Sequence, residues 1–298
     1  MHIPVLLNET IKFLGPKEGE TILDATIDGG GHAEAIAKKI GRHGKLIGLD
    51  EDKDILKDTE KLFRKNNYSE SIFIHGNFRE LDKLLKMSGI ESLDGALFDF
   101  GMSSLQLEES GRGFTFTRDE PLLMTYDPSI KEGKVTAREI INYQSERDLA
   151  DLIWKYGEER YSRRIARSIV ERRKKKPIVT TIDLVNIIAS AVPDGYRRDR
   201  RIHFATRTFQ AFRIAVNNEL KSIEDGLEKA WRLLLPGGRL VAISFHSLED
   251  RIVKNFFKNL FKSESGQILT KKPVEATGEE RMLNPRSRSA KLRASKKL

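Results

Sequence analysis

Between residues 21 and 100 the chain repeats one pattern: a short apolar run rich in β-formers, then an amphipathic helical stretch. Residues 21–26, 45–50, 71–75 and 94–100 read as strands, and residues 33–40, 55–63 and 79–87 as helices. Strands that alternate with helices build βαβ units. This stretch therefore predicts a parallel sheet whose ligands bind outside the carboxyl ends of its strands.

The alternation then gives way to helices over residues 136–192. Thr136-x-x-Glu139 and Ser145-x-x-Asp148 fit capping boxes, the second with Asp in place of the usual Glu or Gln. Apolar faces follow at Leu149, Leu152, Ile153 and Tyr156, at Tyr161, Ile165 and Ile169, and at Leu184, Val185 and Ile188. Gly157 is placed to end the first of these helices, and Pro177 and Pro193 stop the other two. The α/β pattern resumes with one long helix over 206–235, the turn Pro236-Gly237-Gly238, a strand over 239–245, a helix over 248–261 and a basic tail. The expected organisation is an α/β domain made of 1–105 and 206–298, interrupted by a helical insertion over 106–205.

A chain of 298 residues with 39% hydrophobic content can bury a substantial core. It contains no apolar run long enough to span a bilayer, and residues 2–9 lack the basic start of a signal peptide. Without cysteine there are no disulfides, thiolate metal sites or cysteine nucleophiles, which suits a reducing compartment. The expected location is the cytoplasm, with no membrane partner. The net charge of +9 is concentrated: residues 160–176 hold nine basic side chains against one acid, 197–207 five against one, and 281–298 seven against none. A single cluster of this kind is usually a solvated face; three in one chain point to a polyanion.

The motif Asp24-Ala25-Thr26-Ile27-Asp28-Gly29-Gly30-Gly31-His32 falls at a strand-to-helix turn, where glycines let a ligand approach the backbone and the helix start. Asp50 ends the next strand, placed to accept both hydroxyls of a ribose. A dinucleotide fingerprint would need a third glycine where Glu34 stands, and no Gly-Lys-Ser/Thr of a phosphate loop follows. The pattern looks more like a class I methyltransferase, as does the Pro236-Gly237-Gly238 approach to a later strand. Asp99 ends the fourth strand, where it could either hydrogen-bond a reacting amine or contact only the cofactor. His32 has no second His at ligand spacing, so its default role is packing or capping and no metal is expected. His246 follows the late strand and could face the pocket. Phe114, Phe116 and Tyr126 default to core packing, although one could stack on a flipped base.

Several segments together resemble the bacterial ribosomal RNA cytosine-N4 methyltransferases known as RsmH or MraW. They are residues 2–9, 24–32, 99–106 with Gly111-Arg112-Gly113-Phe114, and Arg207-Thr208-Phe209-Gln210-Ala211-Phe212-Arg213-Ile214. To these add 236–240 with 243–251, and Asn284-Pro285-Arg286-Ser287-Arg288-Ser289-Ala290-Lys291-Leu292-Arg293. The resemblance implies a Rossmann-like class I S-adenosylmethionine-dependent methyltransferase with an inserted all-helical domain, acting on the N4 amine of a decoding-centre cytosine in 16S rRNA, free or in the small ribosomal subunit. It also implies cofactor contacts at Gly30, Gly31, His32, Asp50, Phe78, Asp99 and Gln106. Asp28 departs from what relatives often carry, and Phe100-Gly101-Met102 replaces the Pro-Pro-aromatic that follows the acid in other amino-methyltransferases. Two rivals share parts of this pattern. A DNA amino-methyltransferase would have the same cofactor site, and an RNA-binding protein could keep a nucleotide pocket without turnover.

Overall fold

The computed structural model describes residues 4–66, 68, 70–102, 107, 110–126, 135–198 and 202–298. The chain divides into two compact units, Met1–Met102 with Leu220–Leu298, and Ser103–Glu219.

The first unit begins with α1 (Leu7–Leu14) and then alternates β1 (Thr21–Asp24), α2 (Gly31–Ile40), β2 (Lys45–Asp50), α3 (Lys53–Asn66), β3 (Glu70–His75), α4 (Leu81–Met87) and β4 (Leu93–Asp99). It resumes with α11 (Glu219–Leu233), β5 (Leu234–Ser244), α12 (Ser247–Lys262), β6 (Gly266–Ile268), β7 (Val274–Glu275), α13 (Gly278–Leu283) and β8 (Lys291–Lys297). The sheet order is β3-β2-β1-β4-β5-β8-β6, and β7 also pairs with β8. The first five of these strands run parallel, and β8 is antiparallel to both β5 and β6. Successive residues along each strand feed opposite layers, as the two-residue strand period requires. Ile22, Leu46, Leu97, Val241 and Ile243 meet α1, α2 and α3 on one face. Leu23, Ile47, Phe98, Leu240 and Ala242 meet α4, α11 and α12 on the other.

The other unit holds α5 (Ala137–Tyr143), α6 (Glu146–Gly157), α7 (Ser162–Arg173), α8 (Thr181–Ala191), α9 (Asp194–Arg197) and α10 (Thr206–Asn217). Thr136 and Glu139 complete a reciprocal capping box. At Ser145 only half of the box forms. The hydroxyl accepts from Asp148 N and donates to the Asp148 carboxylate, which is one methylene short for the return bond to the backbone. Gly157 does not supply the left-handed cap of α6; Glu158 does, at φ 50°. Gly157 is needed for packing, because a Cβ there would collide with the Arg207 carbonyl. Gly111-Arg112-Gly113-Phe114 is a loop clamp: the buried Arg112 donates to the carbonyls of Thr125 and Tyr126, and Gly113 N donates to Glu120. Phe114 stacks on Tyr126, and Phe116 on His203, so these rings pack within the unit.

Two expected features come out differently. The single helix over 206–235 is two, broken where Asn218 takes a left-handed conformation at φ 51°. Asn217 anchors the break by donating to the Arg213 and Met124 carbonyls and accepting from Tyr126 N. The chain passes between units here, so α10 lies in the helical unit and α11 in the sheet unit. The basic tail is no tail but β8, with Leu292, Ala294 and Ser295 fully buried. Several of its cations are committed internally. Arg293 pairs with Asp250 through two bonds of 2.7 and 3.1 Å, and Lys297 donates to the carbonyls of Trp231, Arg232 and Leu234. Removing one partner of a buried pair strands the other, so Arg293→Ala should cost about 3–5 kcal/mol in chemical denaturation. A loss below about 1 kcal/mol, the scale of a surface pair, would show that β8 does not depend on this contact.

Candidate active site

Strands β2, β1 and β4 lie side by side, and each ends on an aspartate: Asp50, Asp24 and Asp99. Strand order reverses beside β1, which makes the space outside these three ends the natural ligand crevice. The loop leaving β1 is stitched to its neighbours, with Ala25 N donating to Leu97 O and Ile27 N to Leu49 O. It then turns through Asp28 at φ 45° and Gly30 at φ 76° into α2. Side chains are unwelcome at the turn. A Cβ on Gly30 would sit 3.0 Å from the Thr59 methyl, and one on Gly31 2.9 Å from the Pro4 ring.

The acids are arranged unevenly. Asp24 is fully buried; one oxygen accepts from Thr26 N at 3.2 Å and the other has no hydrogen-bond partner. Asp50 accepts from Asp52 N at 2.8 Å and Asp28 N at 3.2 Å. Asp99, 11% exposed, has its Oδ2 3.5 Å from His32 Nδ1, while Oδ1 is buried without a hydrogen-bond partner among the described residues. His32 Nε2 is 3.0 Å from the Val5 carbonyl, to which it can only donate. A neutral His32 therefore turns a lone pair toward Asp99, and the contact is favourable when a proton sits between them.

Burial raises the Asp50 carboxyl to about 7 against the opposing bonds from Asp52 and Asp28. It raises Asp24 and Asp99 well above the ordinary range, helped by the charges of neighbouring acids, Glu249 among those acting on Asp99. Such a cluster resists ionisation.

Other expected residues take definite places. Phe78 opens a helical turn after β3, its ring packed 5.6 Å from Phe98 and 6.0 Å from Phe100. Gly226 of α11 makes room for it, since a Cβ there would stand 2.6 Å from the ring. His246 caps α12 in a box with the buried Glu249, whose Oε2 accepts from Phe245 N and His246 N. Gln106 lies outside the described residues. The sequence does not single out Glu249, although its spacing from His246 is that of a capping box, and it marks Asp24 only as the strand acid ahead of the glycine turn, without a role of its own.

Where a dinucleotide fold has its third glycine, Glu34 bonds to Tyr68 and Lys38, and an antiparallel strand stands next to β5. Orphaned buried carboxylate oxygens around a tight glycine turn suit a nucleoside cofactor that carries positive charge. The class is that of S-adenosylmethionine-dependent methyltransferases of the class I, Rossmann-like fold. A candidate rRNA-methylase structure from Clostridium thermocellum shares this fold, with a TM-score of 0.50 over 100% of both chains at 14% identity. The model of the MraW methylase family matches residues 1–298, and the chain belongs to that family. It is 49% identical to the ribosomal RNA small subunit methyltransferase H of Thermotoga neapolitana, over 99% of this chain and 95% of that one. The protein of the same name from Sulfurihydrogenibium sp. is 48% identical over 100% and 99%.

Carboxyls that hold protons more tightly folded than unfolded stabilise the fold below their ordinary range and lose that contribution as pH rises through their folded values. Without cofactor, stability should therefore fall between about pH 4 and 7, the range over which Asp50 titrates, by up to about 1.4 kcal/mol per pH unit for each group that titrates. Asp50→Asn should flatten this fall in denaturation curves across the range. A variant whose profile parallels the parent's would contradict a raised Asp50.

Proposed function

We propose that this chain methylates the exocyclic N4 amine of a decoding-centre cytosine in 16S rRNA, in the bacterial cytoplasm. The observation that carries the reading is the buried Asp99 Oδ1, an acceptor without a partner at the tip of β4. The names of the relatives support small-subunit ribosomal RNA as the substrate class. Among the described residues no helix is long and apolar enough to cross a membrane.

The cofactor supplies a methyl group activated on a sulfonium. Gly30 and Gly31 would keep the turn low enough for a nucleoside, Asp50 would accept the ribose hydroxyls, and Phe78 would offer a ring for the adenine. Asp24 and Asp99 would face the cationic end. A cytosine amine is a poor nucleophile because its lone pair is delocalised into the ring. Asp99 Oδ1, accepting one N–H, localises that pair and fixes its direction. The amine's acidity rises as the methyl arrives, so no strong base is needed. His32, tied to the Val5 carbonyl, steadies the other Asp99 oxygen and leaves Oδ1 for the amine.

Asp99→Asn keeps a carbonyl oxygen but loses the charge. Single-turnover methylation of rRNA should fall about 10²-fold or more, the scale of losing a preorganised electrostatic contact, while cofactor affinity falls much less. A rate restored by saturating cofactor would make Asp99 a binding residue only. Gly226→Ala tests the adenine side: it should displace Phe78 and raise the cofactor Kd with little change in the saturated rate. An unaltered Kd in the folded variant would remove Phe78 from the site. Label transferred to duplex DNA in preference to rRNA would replace the substrate assignment with that of a DNA amino-methyltransferase.

A further inference from the structure

Helix α7 of the helical unit buries Ser162, Ile165, Ala166 and Ile169, which leaves Arg163, Arg164 and Arg167 on its exposed side. Little neutralises them. Arg163 has no ion pair or hydrogen bond among the described residues, Arg164 lies 5.8 Å from the Tyr161 ring, and Arg167 has only a distant, exposed pairing with Glu146 at 3.7 Å. Just before the helix, the Arg160 guanidinium stands 4.8 and 5.0 Å from the rings of Tyr161 and Tyr196, which meet edge to face at 5.0 Å.

One buried carboxylate fixes this stack. Glu159, with no exposed surface, accepts from the Tyr196 hydroxyl at 2.6 Å and from Tyr161 N at 2.8 Å. At the other end of α7, Arg173 donates to the carbonyls of Ile141 and Gln144, which bracket Tyr143. Tyr143 is 83% exposed and makes no ring contact among the described residues. The exposed side of α7 thus carries three arginines with little to neutralise them, with the fixed Tyr161–Tyr196 pair at its start and the exposed Tyr143 beside the carbonyls that Arg173 holds near its end.

We propose that this line is a docking track for a single-stranded stretch of the substrate RNA, with Arg163 and Arg164 on phosphates and Tyr143 under a base. The proposal rests on the RNA reading above. A single strand offers both phosphates and open base faces, and proteins that hold one combine basic tracks with stacking rings. A duplex or an acidic protein offers the charge alone and leaves Tyr143 unexplained.

The test is binding of a short labelled oligocytidylate and of an RNA hairpin duplex to the full chain across a salt series. Arg163→Gln/Arg164→Gln should flatten the single-strand log–log salt slope by about 1.4, two contacts at about 0.7 each. Arg163→Lys/Arg164→Lys should retain the slope. Tyr143→Ala should weaken the single strand about fivefold or more, the low end for one base stack, and leave the slope and the duplex untouched. Melting temperature and cofactor affinity should stay at the parent values and serve as the check on folding.

An unaltered slope in the folded Gln variant overturns the track. So does an unaltered affinity in Tyr143→Ala, or an equal loss on the duplex. A parent chain that methylates rRNA while these variants bind the strand normally refutes the track alone. A chain that binds through these residues but transfers no methyl refutes only the enzymatic reading.

Discussion

Three carboxylates end three adjacent parallel strands, and the burial of those acids is the constraint around which the first unit is built. Asp24 and Asp99 each keep a buried oxygen without a hydrogen-bond partner, and Asp50 is raised to about 7. A fold selected for stability alone would not gather them, because each costs desolvation and each repels the next. The two apolar layers on either face of the sheet offset that cost. Phe98, Leu23 and Ile22 have almost no exposed surface, and together the layers fix the register, in which Asp24 lies opposite Gly48 and Leu97 while Asp50 and Asp99 project two residues further on either side of it.

The surroundings of the acids follow from the same constraint. Pro4 and Val5 fold over the glycine turn, where the Val5 carbonyl sets the direction of the His32 ring and so the free edge of Asp99. Glu249 draws in the backbone after β5 and at the same time adds to the charge that Asp99 feels. At the glycine turn the backbone is strained where that permits close approach. Asp28 and Gly30 take positive φ, and the nitrogen of the first donates to Asp50.

Much of this was legible because the strand and helix periods differ and each glycine motif sits at a change of period. The four early strands, the turn at Gly30 and Gly31, and the acids at 50 and 99 all emerge from that alternation. The misreadings have local causes. Residues 206–235 keep a helical period throughout, and nothing in the pattern records that Asn217 spends its side chain on Met124 and Arg213. Residues 291–297 look like a charged tail because their three lysines and one arginine hide the alternation of Leu292 and Ala294. The Asp250 that neutralises Arg293 lies far off in sequence. The partners of His32 and Asp99 are likewise tertiary, so their pairing could not be read from spacing.

If the acids at the strand tips hold protons until a cation displaces them, binding of the cofactor must release protons. Calorimetric titration of S-adenosylmethionine just below pH 7, in buffers of different ionisation enthalpy, measures that release directly. The account predicts an apparent enthalpy that changes with the buffer, and a smaller release for S-adenosylhomocysteine, which lacks the sulfonium charge. An enthalpy independent of buffer for both ligands would mean that no carboxyl changes its protonation on binding, and would contradict the account.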